Sequence, residues 1–348
     1  MRVAVDLDAA AANWRFFDRL SPNAETAAVV KADAYGLGAH ALAPAFARAG
    51  ARTFFVAAAA EAAALRAILG PGPAIYLLGG FHAADAALLS SCEVRPVLNS
   101  AAEAASWLTA GRPGGGCAVH LDTGMNRLGA SASDDPALAA MALSPALVMS
   151  HLACGGDPAS NMNAAQRAAF IERAGAFPGA ARSLAASGGA LLGPDFAFDL
   201  IRPGNGLYGG SPLDHGAPPL APVVRITAPV LQVRAIAAGE AVGYGATFKA
   251  PQAMQIATLG AGYADGLLRS LSGRGYAVLG GERRPFVGRV SMDLITVDAT
   301  GLDVRAGDEA VLVGPGLSID DVAAAAGTLA YELLTSLRGA AKTYTGGQ

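Results

Sequence analysis

Cysteine is scarce in this chain, and with it goes any disulfide framework. Cys92, Cys117 and Cys154 lie far apart without C-x-x-C spacing, which reads as reduced thiols in a cytosolic protein. Basic runs are missing too: the net charge is −3, which argues against a nucleic-acid surface. Five histidines, His40, His82, His120, His151 and His215, show no close ligand spacing, so a metal hydrolase fits worst among enzyme classes and no metal is expected. The long apolar stretch from Thr53 to Leu69 is interrupted by Glu61 and Arg66, which rules it out as a membrane span. Asp6 and Asp8 likewise break the N-terminus as a signal-peptide core. The expectation is a soluble, cytoplasmic chain with neither nucleic acid nor membrane as a partner.

Hydrophobic residues are plentiful, at 53% of 348. That supports a sizeable core in a large barrel, alone or with a second unit. The excess of Ala and Gly is spread evenly and is compositional bias, not low complexity. Apolar runs predict strands near 24–30, 52–57, 74–79, 92–99, 116–124, 146–153, 181–187 and 196–204. Helical spacing marks 38–51, 59–69, 100–110 and 163–177 between them. Eight strands with interleaved helices indicate an α/β fold, a parallel (β/α)8 TIM-type barrel over 8–213, with a doubly wound sheet as the fallback.

The segment 211–222 carries four prolines and reads as a linker. Beyond it, 223–227 and 231–236 alternate like half-exposed antiparallel strands, and Gly280-Gly281 is a hairpin signal. A last helical stretch from Ile319 to about Leu337 opens on Asp320 and Asp321. A mostly antiparallel β domain over 222–348 is expected, with strand 1–7 a candidate to join it.

The segment richest in chemistry is Val29-Val30-Lys31-Ala32-Asp33-Ala34-Tyr35-Gly36-Leu37-Gly38. A lysine ending an apolar strand is costly to desolvate without a partner or a task. It either snorkels or serves as a nucleophilic amine, for instance one that forms an imine with an aldehyde cofactor. Barrel chemistry sits at the C-terminal strand ends, and five polar sites fall there: Lys31, Asp122 to Arg127, His151, Ser187, and Arg202 to Asn205. Gly204 to Gly209 fits G-x-G-x-x-G, but a Pro-rich linker follows instead of a helix, and Arg225 lies near the position of the expected acid. Glycine-rich backbone after the last barrel strand suits a phosphate instead.

Four further segments extend the pattern: Asp122-Thr123-Gly124-Met125-Asn126-Arg127-Leu128-Gly129, Val242 to Thr247, Gly262-Tyr263-Ala264-Asp265-Gly266, and Gly288-Arg289-Val290-Ser291-Met292-Asp293. Tyr331-Glu332 follows them. With the Lys31 segment, in this order, they resemble the bacterial alanine racemases over nearly the whole chain. The resemblance implies pyridoxal 5′-phosphate (PLP) on Lys31, with Tyr35, Ser187, Tyr331 and the backbone of Gly204 and Asn205 holding its phosphate. It further implies Arg202 at the pyridine nitrogen and His151 in a network with Arg202 and Tyr263. Arg127 and the Met292 N–H would bind the substrate carboxylate. Lys31 and Tyr263 would be the two bases that interconvert L- and D-alanine, the latter for peptidoglycan. Tyr263, Met292 and Asp293 would come from the partner subunit of a homodimer with shared active sites.

Two positions depart from the family's commoner pattern. His120 replaces a lysine that is often carbamylated to orient the arginine, and Ala186 replaces an asparagine. A neutral His120 can accept one hydrogen bond from Arg127, or an anion such as chloride can fill the space. Rival readings are a PLP carrier without turnover, a PLP decarboxylase of related architecture, and a racemase of serine or broader range. The carrier would need neither the second domain nor Tyr263.

Overall fold

The protein is described here by a computed structural model covering residues 1–141 and 143–347. The N-terminal strand β1 (Arg2–Asp6) leads directly into helix α1 (Leu7–Leu20), whose first turn is capped by the Asp6 carboxylate accepting from the Ala9 N–H at 2.9 Å. The next strand is split at Ala27 into β2 (Glu25–Thr26) and β3 (Ala28–Val29). There follow β4 (Thr53–Val56), β5 (Ala74–Leu77), β6 (Val94–Leu98), β7 (Ala118–His120), β8 (Leu147–Met149), β9 (Ala181–Ser183) and β10 (Leu200–Ile201). Between them lie α2 (Lys31–Tyr35), α3 (Ala39–Ala49), α4 (Ala59–Leu69), α5 (Ala86–Ser91), α6 (Ala101–Thr109), α7 (Asp135–Ala140), α8 (Asn161–Ala174) and α9 (Ser187–Leu191).

Strands β3 to β9 pair in parallel in sequence order, and β10 pairs in parallel with β2. The ring closes on both flanks of β10. Ala27 and Val29 donate to the Ile201 and Pro203 carbonyls, each at 3.0 Å, while Asp199 donates to Arg182 at 3.0 Å and Arg202 to Ala185 at 2.9 Å. This is the expected TIM-type barrel. Its strands are legible as apolar runs because both faces are covered: all four residues of β4, Thr-Phe-Phe-Val, are buried.

After a stretch without regular structure over 210–223, the chain builds an eight-stranded, mostly antiparallel sheet. Its members are β11 (Val224–Ile236), β14 (Met254–Leu259), β15 (Tyr276–Leu279), β16 (Glu282–Pro285), β17 (Ile295–Asp298), β18 (Glu309–Val313), β19 (Lys342–Thr345) and the N-terminal β1, while β12 (Ala241–Val242) and β13 (Phe248–Lys249) form a separate hairpin. Strand β1 lies antiparallel to β11 and parallel to β19. Gly280-Gly281 makes the two-residue turn between β15 and β16, with φ of 59° and 83°.

Two expected features differ. The segments 223–227 and 231–236 are one long strand, because a bulge between Val230 and Gln232 lets β11 pair with β18 on one half and β14 on the other. The helical stretch 319–337 is divided into α10 (Ile319–Ala326) and α11 (Ala330–Ser336) by Gly327 at φ 76°, a left-handed cap.

The linker is pinned at both ends. The Asn13 side chain exchanges hydrogen bonds with Ala221, at 2.9 and 2.7 Å, and the Ser211 N–H donates to Asp320 of α10 at 3.0 Å. The second unit is thereby held over the barrel mouth. No described helix is long and apolar enough to cross a membrane.

Candidate active site

Lys31 follows β3 after one residue, Val30, and opens a turn of unusual hand. Ala32, Asp33, Ala34 and Tyr35 all have φ between 52° and 58°, so α2 is a left-handed turn made of non-glycine residues. The sequence points to a turn only from Tyr35 onward. Left-handed backbone costs roughly 1–2 kcal/mol per residue, and here it is held from several sides. The Ala32 N–H donates to the Glu61 carboxylate at 2.7 Å, the Ala39 N–H to the Asp33 carboxylate at 2.8 Å, and the Tyr344 hydroxyl to the Leu37 carbonyl at 3.1 Å. Immediately before the lysine, the Tyr208 hydroxyl donates to Val29 at 2.8 Å. Strain concentrated beside a reactive side chain is a mark of a functional site.

Lys31 lines a cavity of about 2280 Å³ at the C-terminal ends of the barrel strands, together with Tyr35, Arg127, His151, Ser187, Arg202, Gly204, Asn205 and Tyr331. Eight chain positions from five strand ends and the far helix α11 thus line one cavity with Lys31. Burial, then the charge of Arg127, lowers the Lys31 pKa against the opposing pull of Glu61. The amine is therefore biased toward its uncharged, nucleophilic form.

Beside it lies an anion cradle. The Ser187 hydroxyl accepts from the N–H groups of Gly204 (2.9 Å) and Gly206 (3.3 Å). A Cβ at Gly204 would stand 2.3 Å from the Tyr35 hydroxyl oxygen, so only glycine admits that hydroxyl there. The rings of Tyr35 and Tyr331 are 6.1 Å apart. Burial drives both phenols upward, Tyr35 furthest, so both remain O–H donors. Three hydroxyls around glycine backbone make a donor set suited to phosphate. The side chain of Asn205 turns away, donating to the Ser211 carbonyl at 2.9 Å.

Arg202 is 3% exposed and donates to the Ser183 hydroxyl, the Ser150 carbonyl (2.6 Å) and the Leu184 carbonyl (3.4 Å). Burial brings it down only to about 9, so it stays charged at neutral pH. His151 feels it through charge: burial, Arg202 and Arg127 in that order hold the imidazole down to about 3. Arg127 rides on a loop folded around Asp122, whose carboxylate accepts from Gly124 (3.0 Å), Met125 (2.9 Å) and Asn126 (3.0 Å). Arg173 ties that loop down, through Asp135 at 2.6 Å and the Ala130 carbonyl at 3.0 Å.

Tyr263 and Met292 do not line this cavity. They sit together on the second unit, where the Ala264 N–H donates to the Met292 carbonyl at 3.0 Å, and are 42% and 53% exposed. Two contributors escape the sequence reading. Glu61 was legible only as a charge inside a helix. Asn99, directly after β6, had the position of a mouth residue but no motif around it.

A parallel barrel with a cationic, hydroxyl-rich mouth, followed by a mostly antiparallel sheet unit, defines a barrel protein of the enzymatic kind. Family comparison narrows the class. The sequence model of the alanine racemase N-terminal domain matches residues 5–212, and that of the alanine racemase C-terminal domain matches 223–344. The chain is 49% identical over 338 residues to an alanine racemase of a Jannaschia species, covering 96% of each chain. Among solved structures, the alanine racemase of Bartonella henselae with covalently bound pyridoxal phosphate superposes with a TM-score of 0.94 at 38% identity, covering 99% of each chain. The biosynthetic alanine racemase of Pseudomonas aeruginosa superposes at 0.93 with 35% identity, over 99% of this chain and 100% of that one. The chain belongs to the alanine racemase family and is an amino-acid racemase.

Proposed function

We propose that the protein interconverts L- and D-alanine with PLP carried on Lys31, as a cytoplasmic homodimer, and that the D-alanine supplies peptidoglycan. The domains are read as 8–213 and 222–348, with strand 1–7 in the second. The observation that carries this reading is the desolvated Lys31 on a strained turn, lining one cavity with the hydroxyls of Tyr35, Ser187 and Tyr331 and the backbone of Gly204.

The bound cofactor supplies an electron-withdrawing group that acidifies the substrate Cα–H. Everything else falls to the chain's own side chains and backbone. Tyr35, Ser187, Tyr331 and the backbone at Gly204 and Asn205 would hold the phosphate. Arg202, a pure donor, would stand at the pyridine nitrogen and favour its unprotonated form, which would moderate electron withdrawal and limit side reactions such as transamination. His151 supports the ring site as a neutral imidazole. Arg127 and the N–H of the partner subunit's Met292 bind the substrate carboxylate. Lys31 removes or returns the Cα proton on one face, and the partner subunit's Tyr263 does so on the other. Racemisation needs a base on each side, and burial and Arg127 lower the Lys31 pKa, the direction that role requires.

The test is the purified protein's visible spectrum, followed by chiral analysis after addition of L-alanine. A yellow protein that produces D-alanine is expected, with borohydride fixing the cofactor to the peptide containing Lys31. Lys31→Ala should lose essentially all turnover. A reduced adduct mapped to Lys249 or Lys342, or L-alanine left unchanged, would overturn the proposal.

A further inference from the structure

Asn99 stands one residue beyond β6, at the barrel mouth, and is buried. Its backbone N–H donates to Glu103 of α6 at 2.8 Å, and its side-chain Nδ2 donates to the Val97 carbonyl at 2.8 Å. That fixes the amide, leaving Oδ1 against the Nδ1 of His120 at 2.9 Å. An amide oxygen only accepts, so Nδ1 of His120 carries the hydrogen and Nε2 carries the lone pair. Gly129 lies close enough to the ring that an added Cβ would stand 3.2 Å from its Cγ and Cδ2. With Nδ1 engaged by Asn99, Nε2 is the ring nitrogen available to a donor from the cavity.

His120 lines the same cavity as Lys31, Arg127, His151 and Arg202. The charged and titratable groups around it are Arg127 and Asp122 on the loop after β7, Arg202 after β10, Glu103 behind Asn99, and Lys31 and His151 across the cavity. Burial, Arg202 and Arg127 outweigh Asp122 and hold the imidazole down to about 4, so it is neutral at every working pH. Of the two guanidinium groups nearby, Arg202 is occupied by Ser183, Ser150 and Leu184. Arg127 is the one that needs an acceptor.

We propose that Asn99 and His120 form a positioning pair for Arg127, in which Asn99 fixes the tautomer and Nε2 of His120 accepts from the Arg127 guanidinium. The inference rests on the racemase reading, with Arg127 as the group that receives the substrate carboxylate. An anionic acceptor at this place would neutralise part of the arginine's charge. A neutral one holds the guanidinium in place and leaves its whole charge for substrate. A protonated His120 could not accept and would repel Arg127, which is why the pair works only with Asn99 as an acceptor and the ring kept neutral.

The test has two arms. Histidine-selective 15N NMR on the holoenzyme, with the His120 signal assigned from the His120→Gln spectrum, should show a protonated Nδ1 and a bare Nε2 throughout about pH 6 to 9. A proton on Nε2 at neutral pH would overturn the proposal. In alanine kinetics, His120→Leu should raise KM by about tenfold to a hundredfold, the scale of a hydrogen bond to a charged group, with kcat little changed. His120→Gln, which keeps an acceptor, should recover most of that loss. Asn99→Asp should draw a proton onto the ring, so that KM climbs as pH falls through neutrality where the parent is flat. An unchanged KM in His120→Leu, or a loss confined to kcat, would overturn the pair. A parent protein that fails to racemise alanine refutes the racemase reading instead, and the NMR arm stands without turnover.

Discussion

Burial and neighbouring guanidinium groups govern the ionisation of Lys31, His120 and His151 alike, and in each case they favour the uncharged form. For the histidines this has a consequence for stability. Their folded values, about 4 and about 3, lie below the ordinary 6.5. Between those limits the unfolded chain binds more protons than the native one, so stability is complete above about pH 6.5 and is lost as pH falls. The expected slope is roughly 1.4 kcal/mol per pH unit for each histidine. Urea unfolding between about pH 7.5 and 4.5 measures it, and the double variant His120→Gln/His151→Gln should lose most of the slope. A slope that survives both substitutions would assign the acid sensitivity to other groups.

At the scale of the element, the left-handed turn after β3 is the least ordinary piece of backbone in the barrel. Gly36 closes it at φ 81°, and a Cβ there would stand 2.6 Å from the Leu334 carbonyl oxygen of α11. Gly36→Ala therefore meets both a left-handed conformation and a backbone clash, and should destabilise by about 1–3 kcal/mol. Because Lys31 opens the same turn and Tyr331 lies on α11, cofactor affinity should fall with it. Thermal unfolding of the cofactor-free protein and a PLP titration separate the two effects, and a variant equal to the parent in both would show that the turn tolerates a side chain. This turn also marks the limit of what was legible in the sequence. The eight barrel strands announce themselves because both faces are buried, and Lys31, Arg127, Ser187 and Arg202 are legible because barrel chemistry gathers at strand ends. Nothing in Ala-Asp-Ala-Tyr signals positive φ; that conformation comes from Glu61, 29 residues on, and Tyr344 at the far end of the chain. The role of Asn99 was hidden for the same reason, since it depends on a contact with His120 across two strands.

The whole molecule presents an unequal distribution of its parts. One chain gathers a lysine, three arginines and the hydroxyls of Tyr35, Ser187 and Tyr331 into a single cavity, yet leaves Tyr263 and Met292 exposed side by side on the sheet domain. On the two-base reading proposed above, the second base is Tyr263 of another copy of the chain, which a closed two-fold pairing would supply reciprocally. Tyr263→Phe should accordingly keep PLP but lose activity by about 10²–10⁴-fold, the scale of one acid–base group. Lys31→Ala should be inactive by itself. Mixed after subunit exchange, the two inactive proteins should recover activity, because a heterodimer pairs the intact Lys31 of one subunit with the intact Tyr263 of the other at one of its two sites. Random exchange makes half of the dimers mixed, so the ceiling is about a quarter of the parent activity per site. Native mass spectrometry can verify the exchange. Heterodimers that form and remain inactive would place both bases within one chain, and the sheet domain would then have to move to bring Tyr263 over its own Lys31.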